Sequence, residues 1–132
     1  MIFVDSNIPM YLVGAAHANK TEARSLLEQL TVSGARLVTD ADVLQELLHR
    51  YVAIQRRDAI QAAFDALLGV VDEVFPIECE DVNRAKAIVH ARSSLSARDA
   101  IHLAVMQRYG VKEILSFDRA FDSVPEIERI GT

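Results

Sequence analysis

Short apolar runs alternate along the chain with longer segments of helical periodicity, and this alternation limits the fold more than any other feature. Strands that are separated by helices pair in parallel, because each crossover returns the chain to the same end of the sheet. The pattern therefore predicts an α/β fold in which helices cover both faces of a parallel sheet. The predicted strands are Met1–Val4, Arg36–Thr39, Glu73–Pro76, Glu113–Ser116 and an edge strand at Glu128–Ile130.

Helical segments are recognised by their apolar faces and by the capping residues at their starts. Asn19 lies three residues before Glu22, and Thr39 lies three residues before Asp42, a spacing that is typical of N-terminal caps. Asp42 is therefore interpreted as a structural residue. The predicted helices are Pro9–Val13, Asn19–Val32, one from Thr39 or Asp40 to about Tyr51, Asp58–Leu68, one that begins at Glu80 or Asp81, and one from Ser96 to about Tyr109.

Length and composition predict one soluble domain with a substantial core. The chain has 132 residues, of which 51% are hydrophobic and 25% are charged, and no repeat or linker interrupts it, so we expect a single domain over residues 1–132. No apolar run approaches the roughly 18 residues of a membrane span, and the N-terminus lacks the pattern of a signal peptide. The single cysteine, Cys79, fits a reducing compartment, so we expect a cytoplasmic protein with no membrane contact.

The charge balance bears on the kind of partner that the protein can bind. The chain carries 19 Asp and Glu against 14 Lys and Arg, for a formal net charge of −5. Domains that bind nucleic acids are normally basic, so this balance argues mildly against such a domain. The objection disappears if several carboxylates converge on divalent cations, whose charge compensates theirs. The acidity would equally favour a basic protein partner.

Four acids that are far apart in the sequence are predicted to lie at the carboxyl edge of the sheet. Asp5 directly follows the first strand, and Asp118 lies two residues beyond the strand Glu113–Ser116. Glu46 is early in the helix after the second strand, and Asp99 is in the first turn of the helix before the Asp118 strand. The starts of such crossover helices point to the same edge, where the functional groove of open α/β sheets lies. We therefore expect the four carboxylates to share one site.

Each of these acids also has an ordinary structural interpretation. Asp5 and Asp118 fit strand-end turns, and Asp99 fits a capping box at the start of its helix. Glu46 alone is typical of a solvated helix surface. Asp122 has the same ambiguity as Asp118 and is retained as a supporting residue that could share or replace the role of Asp118.

A cluster of carboxylates is the set of ligands that Mg²⁺ or Mn²⁺ prefers, since these are hard cations that take oxygen ligands and retain several waters. Ligation by His and Cys would indicate zinc instead, and the sequence offers no suitable pair. The expected cofactor is therefore Mg²⁺ or Mn²⁺, which supports the hydrolysis of phosphodiester bonds.

Four sequence blocks carry these acids in order. They are Ile2–Asn7, Val43–Arg50, Leu95–Ala104 and Ile114–Asp122. Together they resemble the PIN domain, and specifically the VapC toxins of bacterial and archaeal toxin–antitoxin pairs. The order, the spacing and the placement on strands and helices agree to about Phe121, so the resemblance covers nearly the whole chain.

The resemblance implies a three-layer α/β/α fold around a parallel sheet of four to five strands. It also implies Mg²⁺- or Mn²⁺-dependent endoribonuclease activity on RNA, inhibition by a cognate VapB-type antitoxin, and a homodimer. Asn7 and Ser116 match polar positions of the family that support the site, and each lies two residues from one of the acids. The resemblance assigns metal binding and catalysis to Asp5, Glu46, Asp99 and Asp118.

Arginines near the expected site are candidates for binding RNA phosphates, because a guanidinium group pairs with phosphate through two hydrogen bonds. Arg98, Arg119 and Arg50 are these candidates, and Arg98 is equally well placed to pair with a neighbouring acid. His102 lies one turn after Asp99, where it could support the metal ligands, but it is interpreted as a histidine whose hydrogen bonds are satisfied within the helix packing.

Other functions fit parts of the same pattern. A non-catalytic α/β interaction module could use the acids to bind a basic partner or a structural cation. A PIN nuclease could also process RNA without being a toxin. A receiver-like or phosphatase-like protein would use Asp5 as a nucleophile, but Asn7 stands where the phosphatase motif has a second Asp. A receiver would also place a lysine near the last strand, whereas Lys112 precedes that strand.

Overall fold

The computed structural model describes residues 1–132, which form five strands and six α-helices. Two short 3₁₀ turns, at Arg57–Ala59 and Arg119–Ser123, complete the regular structure. In chain order the elements are β1 (Ile2–Val4), α1 (Asn7–Val13), α2 (Ala18–Val32), β2 (Leu37–Asp40), α3 (Ala41–Ala53), α4 (Ile60–Leu68), β3 (Glu73–Phe75), α5 (Cys79–Ala91), α6 (Ala97–Tyr109), β4 (Glu113–Leu115) and β5 (Glu128–Ile130).

The five strands form one fully parallel sheet in the order β3-β2-β1-β4-β5, with β1 at its centre. Val4 at the end of β1 pairs with Leu115 at the end of β4, so the two strands finish at the same level. Helices lie on both faces of the sheet. The structure thus confirms the predicted α/β fold and all five strands.

The central strands consist mostly of buried apolar residues, because both faces of the sheet are covered. Phe3, Val4, Val38, Ile114 and Leu115 are completely buried. A parallel sheet that is covered on both sides gives this continuous apolar pattern rather than an alternation of apolar and polar residues. Packing therefore fixes the position of β1, and this also fixes the position of Asp5, which follows it directly.

Helices α5 and α6 pack closely against each other through small side chains. Ala85, Ala100 and Ala104 form a buried cluster between them. Arg108 near the end of α6 also donates two hydrogen bonds to the buried Asp81 of α5, at 2.9 and 2.8 Å. This packing fixes the position of α6, the helix that carries Asp99 and His102.

Some predicted helix caps are wrong, and tertiary contacts explain the differences. The side chain of His17, rather than that of Asn19, accepts the hydrogen bond that caps α2. Thr39 lies inside β2, where its hydroxyl donates to the Val4 carbonyl at 2.9 Å, so it cannot cap a helix. Asp40, the other predicted start of this helix, is confirmed as the cap of α3, because it accepts from the Val43 amide at 2.9 Å, and the predicted capping role of Asp42 is wrong.

Three other helix starts also differ by one or two residues. Helix α1 begins at Asn7 rather than at Pro9. The α5 capping box joins Glu78 to Asp81, so the helix begins slightly earlier than predicted. The helix predicted from Asp58 begins with the 3₁₀ turn and becomes α-helical at Ile60. No helix of the protein is both long and apolar enough to cross a membrane.

Candidate active site

The carboxyl ends of the central strands bring polar side chains together. Asp5 follows β1, Asp40 ends β2, and Ser116 follows β4, and all three are buried. The amide of Asp5 donates to the Leu115 carbonyl at 3.1 Å, which carries the pairing of β1 and β4 one residue beyond the strands. The sheet therefore positions the first acid of the predicted site directly.

Hydrogen bonds hold both oxygens of the Asp5 carboxylate. Oδ1 accepts from the Ser6 amide at 2.8 Å, and Oδ2 accepts from the Ser116 hydroxyl at 2.6 Å. The Asn7 amide nitrogen lies 3.4 Å from Asp5 Oδ2 and 3.1 Å from Ser116 Oγ. Both polar residues that the sequence placed beside the acids thus contact Asp5.

The environment of Asp5 opposes its negative charge. Burial raises the pKa of Asp5 to about 6, and the nearby charge of Glu46 acts in the same direction. The charge of His102 and the hydrogen bonds from Ser116 and Ser6 only partly offset the burial. A carboxylate in this position gains stability from an added positive charge.

Glu46 projects from α3 towards the same place and is held from two sides. Its Oε2 accepts from the Ser6 hydroxyl at 2.7 Å, and its Oε1 lies 2.6 Å from Nε2 of His102. Burial alone would raise the pKa of Glu46, but the hydrogen bond and charge of His102, the hydrogen bond from Ser6 and the charge of Arg98 together lower it. Glu46 is therefore ionised beside Asp5.

His102 lies between two carboxylates in the interior. Its Nδ1 is 2.8 Å from Asp40 Oδ2, and its side chain has no exposed surface. Burial alone would lower the pKa of His102, but the charge of Asp40 and the two hydrogen bonds raise it well above its usual value. The imidazolium thus compensates part of the negative charge of the site.

Asp99 and Asp118 form a second pair of acids. Asp99 Oδ2 accepts from the Ser96 amide at 3.2 Å in the predicted capping box, and its Oδ1 accepts no hydrogen bond from the protein. Asp118 Oδ1 accepts from the Ala120 amide at 2.9 Å, and its Oδ2 is likewise without a donor. Burial, followed by the charge of Asp118, raises the pKa of Asp99.

The two pairs of acids are connected through shared neighbours. Ser116 Oγ donates to Asp5 and accepts from the Asp118 amide at 3.0 Å. The charge of His102 acts on both Asp5 and Asp99, although burial is the larger influence on each. The structure thus brings Asp5 and Glu46 into one cluster, and it links Asp99 and Asp118 to that cluster only through Ser116 and the charge of His102.

Two further acids have surroundings that the sequence did not predict. Asp122 forms an ion pair with Arg129 through hydrogen bonds of 2.8 and 3.1 Å, so its carboxylate is engaged away from Asp118. Asp42 has one buried oxygen without a hydrogen-bond partner. Burial raises the pKa of Asp42, and the charges of Asp40 and Glu46 add to this effect.

The three arginines named from the sequence differ in their surroundings. The charge of Arg98 contributes to the lowered pKa of Glu46, after the larger effects of burial, which opposes it, and of His102 and Ser6. Arg98 therefore lies near the acids. Arg119 donates through Nε to the Thr132 carbonyl at 3.1 Å, and Arg50 is exposed in the last turn of α3.

The chemistry of these residues fits a hard divalent cation. Ligand atoms of Asp5, Glu46 and His102 lie within 4.8 Å of one another. His102 is the weakest candidate ligand of the three, because both of its ring nitrogens already contact carboxylates. The remaining groups offer carboxylate oxygens, which Mg²⁺ and Mn²⁺ prefer.

Two residues of this arrangement, Ser6 and Asp40, were not predicted as site residues. His102 was predicted to have its hydrogen bonds satisfied, and the structure shows that its partners are two carboxylates. Asp40 ends a central strand as closely as Asp5 follows one, and His102 lies on the same face of α6 as Asp99, three residues earlier. Those two positions were the available signals.

Comparisons with known proteins agree with this geometry. The model of the PIN domain family matches residues 2–127. Ribonuclease VapC13 of Mycobacterium tuberculosis is 60% identical over 131 residues, which cover 99% of this chain and all of the relative. Ribonuclease VapC23 of the same species is 42% identical, over 93% of this chain and 97% of the relative.

Solved structures show the same fold. VapC20 of Mycobacterium tuberculosis, a toxin that cleaves the sarcin–ricin loop, has a TM-score of 0.78 at 25% identity and covers 97% of this chain and 98% of its own. VapBC2 of Rickettsia felis, solved with a DNA fragment from its promoter, has a TM-score of 0.74 at 13% identity and covers 98% of each chain. By sequence and by fold, the chain belongs to the PIN domain family, within its VapC ribonucleases.

Proposed function

We propose that this protein is a Mg²⁺- or Mn²⁺-dependent endoribonuclease that acts as the toxin of a VapBC-type toxin–antitoxin pair. The observation that supports this most strongly is the cluster of Asp5 and Glu46 at the carboxyl edge of the sheet, with Asp99 and Asp118 linked to it through Ser116 and the charge of His102. The raised pKa of Asp5 adds to it, because a bound cation would supply the positive charge that this carboxylate lacks.

In this proposal the four carboxylates hold the cation, which when bound lowers the pKa of water and neutralises charge on the phosphoryl oxygens. Ser116 and the Ser6 amide fix the orientation of Asp5 before any ligand binds. Asp99 and Asp118 each keep one carboxylate oxygen free of protein donors, and these oxygens are available as ligands.

In this proposal the arginines beside the acids bind the phosphates of the RNA substrate. The charge of Arg98 influences Glu46 and Asp42, which places this residue beside the acids. In the proposal its guanidinium group pairs with an RNA phosphate. Arg50 and Arg119 would contact RNA phosphates further from the scissile bond. Without a cation the acidic groove repels RNA, so substrate binding also depends on the metal.

Cleavage of RNA by the purified protein tests the enzymatic part of the proposal. We expect cleavage with Mg²⁺ or Mn²⁺, none with a chelator, and recovery when the cation is restored. Asp99→Asn should reduce the rate at least about 100-fold, because a ligand charge is lost while the oxygen that accepts from Ser96 remains. The exposed residue Asp65 provides the matched control, Asp65→Asn, which should cleave normally.

Circular dichroism and thermal melting would show whether Asp99→Asn remains folded. Undiminished cleavage by a folded Asp99→Asn protein would contradict the proposal, and so would cleavage that persists in chelator. Either result would favour the alternative of a non-catalytic module whose acids bind a basic partner.

The toxin assignment has a separate basis and a separate test. It is supported by the 60% identity to Ribonuclease VapC13 and by the similarity, at 25% identity, to VapC20, which is a toxin. We propose a homodimer that a cognate VapB-type protein neutralises. Induction of the wild-type gene should arrest growth, and coexpression of the cognate antitoxin should restore it. Normal growth with active, folded protein would instead favour a role in RNA processing.

A further inference from the structure

The buried contact between His102, Asp40 and Glu46 is not explained by the proposed set of metal ligands. His102 lies on α6, Asp40 at the end of β2, and Glu46 on α3, so the contact joins three elements. The two hydrogen-bond distances are 2.8 Å to Asp40 and 2.6 Å to Glu46. Buried polar groups of this kind are costly unless each of them has a partner.

The direction of these hydrogen bonds follows from the chemistry of the partners. An ionised carboxylate can only accept hydrogen bonds, so each ring nitrogen of His102 donates a hydrogen bond to the carboxylate beside it. One buried cation then lies between two anions, which satisfies all three groups. To bind a metal, Nε2 would have to lose its proton and its contact with Glu46.

The same contact fixes the direction of the Glu46 side chain. His102 holds Oε1, while the Ser6 hydroxyl holds Oε2 at 2.7 Å. Asp40 stabilises the arrangement further, because its second oxygen caps α3, the helix that carries Glu46. A displacement of His102 would therefore free Oε1 of Glu46 and leave its carboxylate held by Ser6 alone.

We propose that His102 is a positioning residue that, together with Asp40, orients the Glu46 carboxylate for cation binding and is not itself a metal ligand. This inference rests on the proposed function, in which Glu46 contributes to the metal site. Partners that orient the ligands of a metal site typically affect metal affinity by 10- to 100-fold when they are removed.

Mn²⁺ titration of the metal-free protein tests the inference without relying on activity. His102→Leu removes both hydrogen bonds and should weaken Mn²⁺ binding about 10- to 100-fold. His102→Gln retains an amide donor towards Glu46 and should recover most of the affinity. His90→Leu, at an exposed histidine of α5, is the control and should bind Mn²⁺ like the wild type.

Electron paramagnetic resonance of bound Mn²⁺ separates positioning from ligation. We expect no coupling to a histidine nitrogen in the wild-type protein. A nitrogen coupling that disappears in His102→Gln would overturn the inference, because it would show that the imidazole binds the metal. This measurement also decides the question if His102→Leu fails to fold, which thermal melting would reveal.

The possible failures are distinguishable. If the wild type binds Mn²⁺ and cleaves RNA while folded His102→Leu has the same affinity, the positioning role is wrong and the proposed function stands. If His102→Gln is as weak as His102→Leu, donation to Glu46 is not what matters, and the inference is also overturned. If the wild type itself neither binds Mn²⁺ nor cleaves RNA, both the inference and the proposed function fail.

Discussion

Ser116 connects the two pairs of acids in the site by hydrogen bonds. Its hydroxyl donates to Asp5 and accepts from the side chain of Asn7 and the amide of Asp118. The residue is completely buried, so water does not replace these contacts. The residues between β4 and the following 3₁₀ turn are thereby fixed relative to β1.

Replacement of Ser116 should therefore damage the site more than the fold. In Ser116→Ala, Asp5 loses its shortest hydrogen bond, and the Asp118 amide loses its acceptor. We expect Mn²⁺ affinity to fall about 10- to 100-fold, together with a loss of stability of about 1 to 3 kcal/mol for the unsatisfied buried groups. Calorimetric titration and urea unfolding measure the two effects.

Ser25→Ala, at an exposed serine of α2, is the matched control for this substitution. It should change neither quantity appreciably. Unchanged Mn²⁺ affinity in Ser116→Ala would show that the hydroxyl does not organise the acids.

At the scale of elements, β5 and the residue after it support Ser116 from the edge of the sheet. The Ser116 amide donates to the Ile130 carbonyl at 3.0 Å, and Arg129 donates to the Ser116 carbonyl at 3.0 Å. Gly131 has a φ of 134°, and a Cβ atom there would lie only 2.7 Å from the Ser116 carbonyl oxygen. The last strand is thus part of the support of the site.

Gly131→Ala should disturb the site through this contact. We expect a loss of about 1 to 3 kcal/mol from backbone strain and, because Ser116 must move, weaker Mn²⁺ binding. Gly34 is the matched control, since its φ is 76° but a Cβ atom there meets nothing within 4 Å. Gly34→Ala should cost stability alone. Equal Mn²⁺ affinity in the two variants would contradict the proposed support.

The elements themselves could be predicted from the sequence because they depend on local periodicity. Each predicted strand and helix exists, and the errors concern their ends. Thr39 is an example. Its spacing from Asp42 is typical of a helix cap, but its hydroxyl donates a hydrogen bond to the carbonyl of Val4 in the neighbouring strand. Such a contact depends on the tertiary structure, which a local pattern does not contain.

The same distinction applies to the site: positions at strand ends could be predicted from the sequence, whereas contacts between distant residues could not. Asp5 and Asp118 could be placed at one edge because the ends of parallel strands coincide. The contact of His102 with Asp40 joins residues that are 62 positions apart, and its existence depends on how α6 packs. Asp122 looked equivalent to Asp118 in sequence, but the ion pair with Arg129 distinguishes them.

For the whole molecule, the concentration of acids makes the stability of the metal-free protein depend on pH. Asp5 has a pKa of about 6 in the folded protein, against 3.8 as its ordinary value. Between these values the folded state retains a proton that the unfolded state has lost, so stability falls as pH rises. The raised pKa of Asp99 acts in the same direction.

The range from pH 5 to 6.5 isolates this effect. Glu46, whose lowered pKa acts in the opposite sense, contributes mainly below its ordinary value of 4.5. His102, whose pKa is raised, begins to lose its stabilising contribution only above its ordinary value of 6.5. We therefore expect urea unfolding in chelator to show a loss of about 1 to 2 kcal/mol between pH 5 and 6.5.

Asp5→Asn should remove much of this pH dependence, because the group that titrates in the range is gone. Saturating Mn²⁺ should raise the stability of the wild type at neutral pH, since the cation binds only the folded state. Stability that rises from pH 5 to 6.5 in the metal-free protein would contradict the electrostatic account of Asp5.

The most direct test of the central claim is to locate the cation. Crystals grown with Mn²⁺, measured at the manganese absorption edge, should give an anomalous peak in contact with Asp5 and with further carboxylates among Glu46, Asp99 and Asp118. The peak should be absent from Asp99→Asn crystals or strongly reduced in them. Manganese bound elsewhere, or no peak at this edge of the sheet at saturating Mn²⁺, would contradict the assignment of these acids as the metal site.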